Sequence, residues 1–218
     1  MSSVSDEHAA RELPQTPQPI VCIVDDDESV RTSMSLLFET VGVPSRSFPS
    51  LPAFQQWAEA GFFGCIVLDV RLPGPSGLDL QSSLAAAGGH NPIIFVTAYA
   101  DVALTVRAMK AGAQEVLTKP YDQQVLLDAV HRALETACER REQRERLSHL
   151  QAAFETLTPR EREVLVLVAS GLTNKQIAAS HGTTEKTIKV HRASVMRKMR
   201  AGSVAALVRM VDRLAIAT

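Results

Sequence analysis

Between Ile20 and about Ala133, short apolar runs alternate five times with amphipathic stretches, and this alternation limits the possible folds more than any other feature. The runs cover residues 20–24, 45–48, 65–68, 92–96 and 115–117. Each is followed by a helical pattern: to about Val41, from near Ser50 with Pro52 in its first turn, over 77–87, over 102–111, and from Asp122. Strands covered on both faces read as continuous apolar runs, and parallel strands need helical crossovers. The expectation is therefore a doubly wound α/β domain with five parallel strands. In such open sheets reactive groups gather at the carboxyl ends of the strands.

Beyond that block the pattern changes. Residues 133–154 hold no Gly or Pro and are dense in Arg and Glu, with Glu135/Glu139 and Arg140/Arg144 on adjacent turns. This predicts a long solvated helix; its apolar positions are too sparse to define a heptad, although coiled-coil pairing stays open. Thr158-Pro159-Arg160-Glu161 then opens a new helix, with Thr158 as cap, Pro159 at the first helical position and Glu161 completing a capping box. Gly171 ends it. Thr173 to Gln176 repeats the capping pattern for a helix to about Ser180, Gly182 makes a turn, and Thr184 caps a third helix to about Arg200. A last helix spans 203–214. Four helices in roughly 60 residues, with a tight turn between the second and third, make an all-α helix-turn-helix unit. The expected organisation is a mobile tail over 1–18, an α/β domain over 19–135, a helical linker over 136–155 and the helix-turn-helix domain over 156–218.

The net charge of -1 conceals a division. Residues 156–218 carry 11 Lys and Arg against 4 Asp and Glu, a balance of +7, whereas the first 155 carry 12 against 20, a balance of -8. An acidic block followed by a basic one suggests that the C-terminal part meets nucleic acid. Cys22, Cys65 and Cys138 fit neither a disulfide framework nor a zinc pattern, and read as reduced thiols packed as small hydrophobes. No apolar run approaches the roughly 18 residues of a membrane span and no signal peptide opens the chain, so a cytoplasmic protein with no membrane partner is expected.

Chemistry-bearing residues stand at the strand ends. Asp25 and Asp26 follow the first strand, Asp69 the third, Thr97 the fourth, and Lys119-Pro120 the fifth. Three carboxylates, a hydroxyl and a lysine at one sheet edge suit a hard cation such as Mg2+. An aspartate there could act as nucleophile toward a phosphoryl group, with the metal and lysine offsetting charge on its oxygens. Each acid alone could be a mere helix cap, but the whole set is hard to explain in that way. A Mg2+-dependent phosphohydrolase would also need a substrate pocket and a second general acid, and neither is visible in the sequence.

The stretches Ile23-Val-Asp-Asp-Asp-Glu28, Leu68-Asp-Val-Arg-Leu-Pro-Gly-Pro-Ser-Gly-Leu-Asp-Leu80, Val96-Thr-Ala-Tyr99 and Lys119-Pro-Tyr121 resemble, in order, the motifs of response-regulator receivers, which have the flavodoxin-like fold. The resemblance implies that Asp69 accepts phosphate from a sensor histidine kinase. It implies Mg2+ held by Asp26, Asp69 and the backbone carbonyl of Arg71, with Asp25 acting through water, and Thr97 and Lys119 on the phosphoryl oxygens. Asp27 falls at a variable acidic position. Val116 stands three residues before Lys119, where receivers usually carry an aromatic switch residue. Thr97 and Tyr99 are then the remaining switch candidates.

In the basic unit, the helix from Thr184 to Arg200 places Ile188, Val195 and Met199 on one face. Lys189, Ala193, Met196 and Arg200 lie on another, free to enter a major groove. Lys175, Arg197 and Lys198 are placed to meet phosphate. Leu157-Thr-Pro-Arg-Glu-Arg-Glu-Val-Leu165, Gly171-Leu-Thr-Asn-Lys-Gln-Ile-Ala178 and Thr187-Ile-Lys-Val-His-Arg192 are similar to the LuxR-type DNA-binding domain. Val195-Met-Arg-Lys-Met199 and Leu207-Val-Arg-Met210 resemble its FixJ branch within the FixJ/NarL group. His181 and Thr183 replace the usual aliphatic residues, which implies a less stable turn. The resemblance implies bases near Lys189, Val190 and Ala193, further DNA contacts from Lys175, Thr184, Lys186, Arg192, Arg197 and Arg200, and a dimer contact through the last helix. It also implies a homodimer when phosphorylated, double-stranded promoter DNA and possible contact with RNA polymerase as partners, and transcriptional regulation, by family habit activation. The only catalysis implied is the chain's own phosphoryl transfer at Asp69.

Overall fold

The computed structural model describes residues 18–58, 62–73, 81, 91–98 and 102–214. The expected tail over 1–18 (save Gln18), most of the expected helix over 77–87, and Tyr99 lie outside them. The chain divides into two compact units, 1–140 and 141–218.

In the first unit, β1 (Ile20–Val24), β2 (Ser45–Phe48), β3 (Gly64–Asp69), β4 (Ile93–Thr97) and β5 (Glu115–Thr118) form one parallel sheet in the order β2-β1-β3-β4-β5. Helices α1 (Glu28–Thr40), α2 (Leu51–Ala58), α3 (Val102–Lys110) and the first part of α4 (Gln123–Glu155) belong to it. This is the expected doubly wound, flavodoxin-like arrangement. Alternate strand residues feed two cores. Cys22, Val24, Ile66, Leu68 and Phe95 pack with Phe54 of α2 and Ala108 of α3. Val21, Ile23, Cys65, Val67, Ile94 and Val96 pack with Phe38 of α1 and Leu126, Ala129 and Ala133 of α4. Burying each large apolar side chain contributes on the order of 1.5–3 kcal/mol. Cys22 and Cys65 are free and fully buried, and burial pushes the Cys22 thiol up to about 12, so both act as small hydrophobes.

Gly64 is required where it stands. A Cβ there would lie 1.8 Å from the carbonyl oxygen of Ile20, at the point where β3 enters beside β1.

Helix α4 spans 33 residues. Leu126, Ala129, Val130, Ala133 and Ala137 are buried in the first unit, residues 142–149 are exposed, and Leu150, Ala153 and Phe154 pack on the core of the second. The division at Arg140/Arg141 therefore falls inside the expected linker, both ends of which are docked. Arg141, at the edge of the exposed stretch, pairs with Glu145 (2.7 Å), and within it Arg146 pairs with Glu142 (2.8 Å), each one turn apart.

The second unit contains α5 (Pro159–Ala169), α6 (Asn174–Ser180), α7 (Glu185–Lys198) and α8 (Val204–Arg213) around a core of Val164, Leu165, Ile177, Ile188, Val195 and Leu207. Both expected capping boxes are present, at Thr158/Glu161 and Thr173/Gln176, and Thr184 and Ser203 cap α7 and α8. Gly171 and Gly182 have φ of +86° and +59°, so each turn uses a conformation that glycine adopts without strain. His181 ends α6; its Nδ1 lies 2.9 Å from Ser180 Oγ and its Nε2 3.6 Å from Glu163, so polar contacts occupy the place of an aliphatic contact.

Candidate functional site

The first cluster forms where β1, β3, β4 and β5 end. Asp25 directly follows β1 and is 2% exposed. Asp26 beside it is exposed, and Asp69 closes β3 with its side chain 12% exposed. One carboxylate oxygen from each of the three lies within 4.8 Å of the others. Thr97 closes β4, fully buried, and its carbonyl accepts from the Lys119 N–H (2.8 Å), which sets the lysine against the threonine. Lys119 Nζ donates to Asp25 (2.6 Å) and to Asp69 (2.7 Å). The register, with Asp69 beside Val96 and Thr97 beside Thr118, brings residues 50 and more positions apart to one edge.

Electrostatics follow from this crowding. Burial pushes the Asp25 carboxyl above the usual carboxylate range, outweighing the bonds it accepts from Lys119 and from the Asp27 N–H. Burial also works to lower the Lys119 ammonium, but its two carboxylate partners outweigh it and hold the lysine above its ordinary value. The donor set is all hard oxygen with one compensating cation, which fits a magnesium ion bound through carboxylates. The Arg71 N–H donates to Asp69 Oδ1 (2.8 Å), so Arg71 borders the cluster.

Three details were not visible in the sequence. Arg31 of α1 donates to the backbone carbonyls of Asp25 (2.8 Å) and Asp26 (3.0 Å), holding the acidic turn; a basic residue in the second turn of the following helix was the available signal. Asp27 caps α1, accepting from the Ser29 hydroxyl (2.6 Å) and the Ser29 N–H (2.8 Å), and these bonds, the hydroxyl's first, lower its carboxyl. Val116 is half-buried against the Phe95 core, so apolar packing occupies the place of an aromatic switch residue.

The second cluster lies on α7 and near it. Ile188, Val195 and Met199 are buried, as their spacing predicts. Lys175, Thr184, Lys186, Lys189, Val190, Ala193, Arg197 and Arg200 are exposed, Val190 to 64%. Arg192 is half-buried and donates to Asn174 Oδ1 (3.1 Å), tying α7 to the start of α6. Two expectations need correction. Met196 is partly buried against the core because its position on α7 turns it inward. Lys198, expected to meet phosphate, donates to Glu161 (2.6 Å) and to the Thr156 carbonyl (3.0 Å).

Both halves match known families. Residues 21–131 match the response regulator receiver domain and residues 155–211 the bacterial regulatory proteins of the luxR family. The chain is a two-component response regulator. It is 49% identical to nodulation protein W of Bradyrhizobium diazoefficiens, over 90% of this chain and 87% of that protein. It is 41% identical to the transcriptional regulatory protein FixJ of Azorhizobium caulinodans, over 87% and 90% respectively. Among solved structures, that of response regulator StyR is similar with a TM-score of 0.81 at 44% identity, covering 90% of this chain and all of that one. The regulator therefore joins a receiver to a LuxR-type DNA-binding domain, as transcriptional regulators do, and is not built as a turnover enzyme. Among the described residues no helix is long and apolar enough to cross a membrane.

Proposed function

We propose that the regulator accepts a phosphoryl group on Asp69 from a sensor histidine kinase, then dimerises, binds promoter DNA and activates transcription in the cytoplasm. The observation that carries this reading is Lys119 bridging Asp25 and Asp69 at an edge that also holds Asp26 and Thr97. Asp69 attacks the donor phosphorus, the bond from phosphorus to the kinase histidine breaks, and an acyl phosphate results. Asp25, Asp26, Asp69 and the Arg71 carbonyl would hold Mg2+, which offsets charge on the transferred group. Thr97 and Lys119 would hold its oxygens.

Two observations support the downstream steps. Val102, Val106 and Met109 are exposed to 81%, 43% and 48% at helical spacing on α3, and Val125 near the start of α4 is exposed to 46%. Exposed apolar side chains of this kind suit burial in a receiver dimer. On α7, Lys186, Lys189, Val190 and Ala193 form an exposed surface of the size and chemistry that reads a major groove, with Lys175, Thr184, Arg192, Arg197 and Arg200 at its border. The last helix, α8, is the candidate DNA-bound dimer contact, and RNA polymerase is the candidate partner of the assembled complex. The decisive experiment incubates wild type and Asp69→Asn with acetyl phosphate and Mg2+ and measures DNA binding. Wild type should take up one phosphoryl group and bind more tightly. An equal donor response in Asp69→Asn would sink the reading.

A further inference from the structure

Lys198 closes the DNA-facing helix, yet it faces inward, toward a single carboxylate. Glu161 is 5% exposed and receives Lys198 Nζ (2.6 Å), the Thr158 N–H (2.8 Å) and the Ser194 hydroxyl. The same ammonium donates to the carbonyl of Thr156, the residue just after α4. One Lys–Glu pair therefore joins the end of α4, the cap of α5 and the last turn of α7. We infer that Lys198 and Glu161 are positioning residues, setting the angle at which α7 meets the bases, and that Lys198 does not contact phosphate; this rests on the DNA-binding reading above. For Lys198 to reach a phosphate, Glu161 would be left buried without its counter-charge, which is strongly unfavourable. Arg197, one residue earlier, is exposed and donates only to Ser194 Oγ (3.3 Å) among the bonds found, so a phosphate contact is available without breaking the clasp.

Positioning and phosphate contact differ in what they do to sequence discrimination and to salt dependence. The full-length chain, treated with acetyl phosphate, first selects a duplex from a random pool. Affinities for that duplex and for a mixed-sequence duplex are then measured across a salt series for wild type, Lys198→Gln, Glu161→Gln and the double variant. The expected result is a loss of about tenfold on the selected duplex for each single variant, with no further loss in the double variant. Mixed-sequence affinity and its salt slope should stay at wild-type values. A slope reduced by about 0.9 in Lys198→Gln marks a lost phosphate contact and overturns the inference. So does an equal loss on both duplexes, which reports only a smaller folded fraction, and so does no loss at all. A wild-type chain that enriches no sequence and binds neither duplex would instead sink the DNA-binding reading itself.

Discussion

Asp69 offers one oxygen to Lys119 and the other to the Arg71 N–H, so its carboxylate is already held in place before any donor arrives. Replacing Lys119 with Met should leave Asp25 and Asp69 facing each other without their shared cation. Acetyl-phosphate labelling of Asp69 should fall at least tenfold, or about 1.4 kcal/mol in the barrier, measurable as the rate of phosphoryl uptake. Glu161 makes a second prediction at this scale. Its bond from Lys198, then those from Ser194 and the Thr158 N–H, hold its carboxyl down to about 2 from an ordinary 4.5. A value depressed by folding stabilises the native state above the ordinary value and is lost as pH falls through the folded one. Thermal melts of wild type should therefore fall more steeply between pH 4.5 and 2 than those of Glu161→Gln, the difference being on the order of 1–3 kcal/mol. The acids themselves were legible in the sequence from their places at strand ends. Which of them Lys119 would grip, and that Arg31 would hold the turn, were not, because those contacts depend on distances set by the sheet register.

Helix starts were the most legible elements, because a cap is decided by residues three or four positions apart. Both capping boxes in the second unit formed as read, and Thr158→Ala should lower stability by about 1 kcal/mol, detectable as a reduced melting temperature. Gly64 shows the opposite case. Nothing local in the sequence marks it, since the demand comes from the Ile20 carbonyl on a strand more than forty residues earlier. Gly64→Ala should disrupt the pairing of β1 and β3 and produce insoluble or poorly folded protein, read by circular dichroism and yield. Helix α4 was legible as one solvated helix, but its composition did not show where each unit takes hold. Alanines at 129, 133 and 137 bury as well as leucines do when the neighbouring surface is close enough.

At the scale of the whole molecule, the charge division separates an acidic part that holds the receiver from a basic part that is the LuxR-type domain. The link between them in the proposed mechanism is dimerisation, and the exposed apolar residues of α3 are its testable surface. Val102→Glu combined with Val106→Glu should leave phosphoryl uptake at the wild-type rate. It should keep the phosphorylated chain monomeric in light scattering, because the proposed two-fold contact would bring two carboxylates from each copy together on this face. A phosphorylated double variant that still dimerises would move the interface elsewhere on the receiver.

By itself the sequence determined the order and type of the elements among the described residues, the caps that start the helices of the second unit, and which residues stand at the acidic edge of the sheet. These depend on periodicity and on neighbours a few positions apart. The tertiary structure alone decided that Lys119 spans Asp25 and Asp69, that Val116 packs against the core, and that Met196 and Lys198 turn inward. An exposed lysine and a clasped one look the same in a sequence. The difference is a buried carboxylate 37 residues away, and only folding brings the two together.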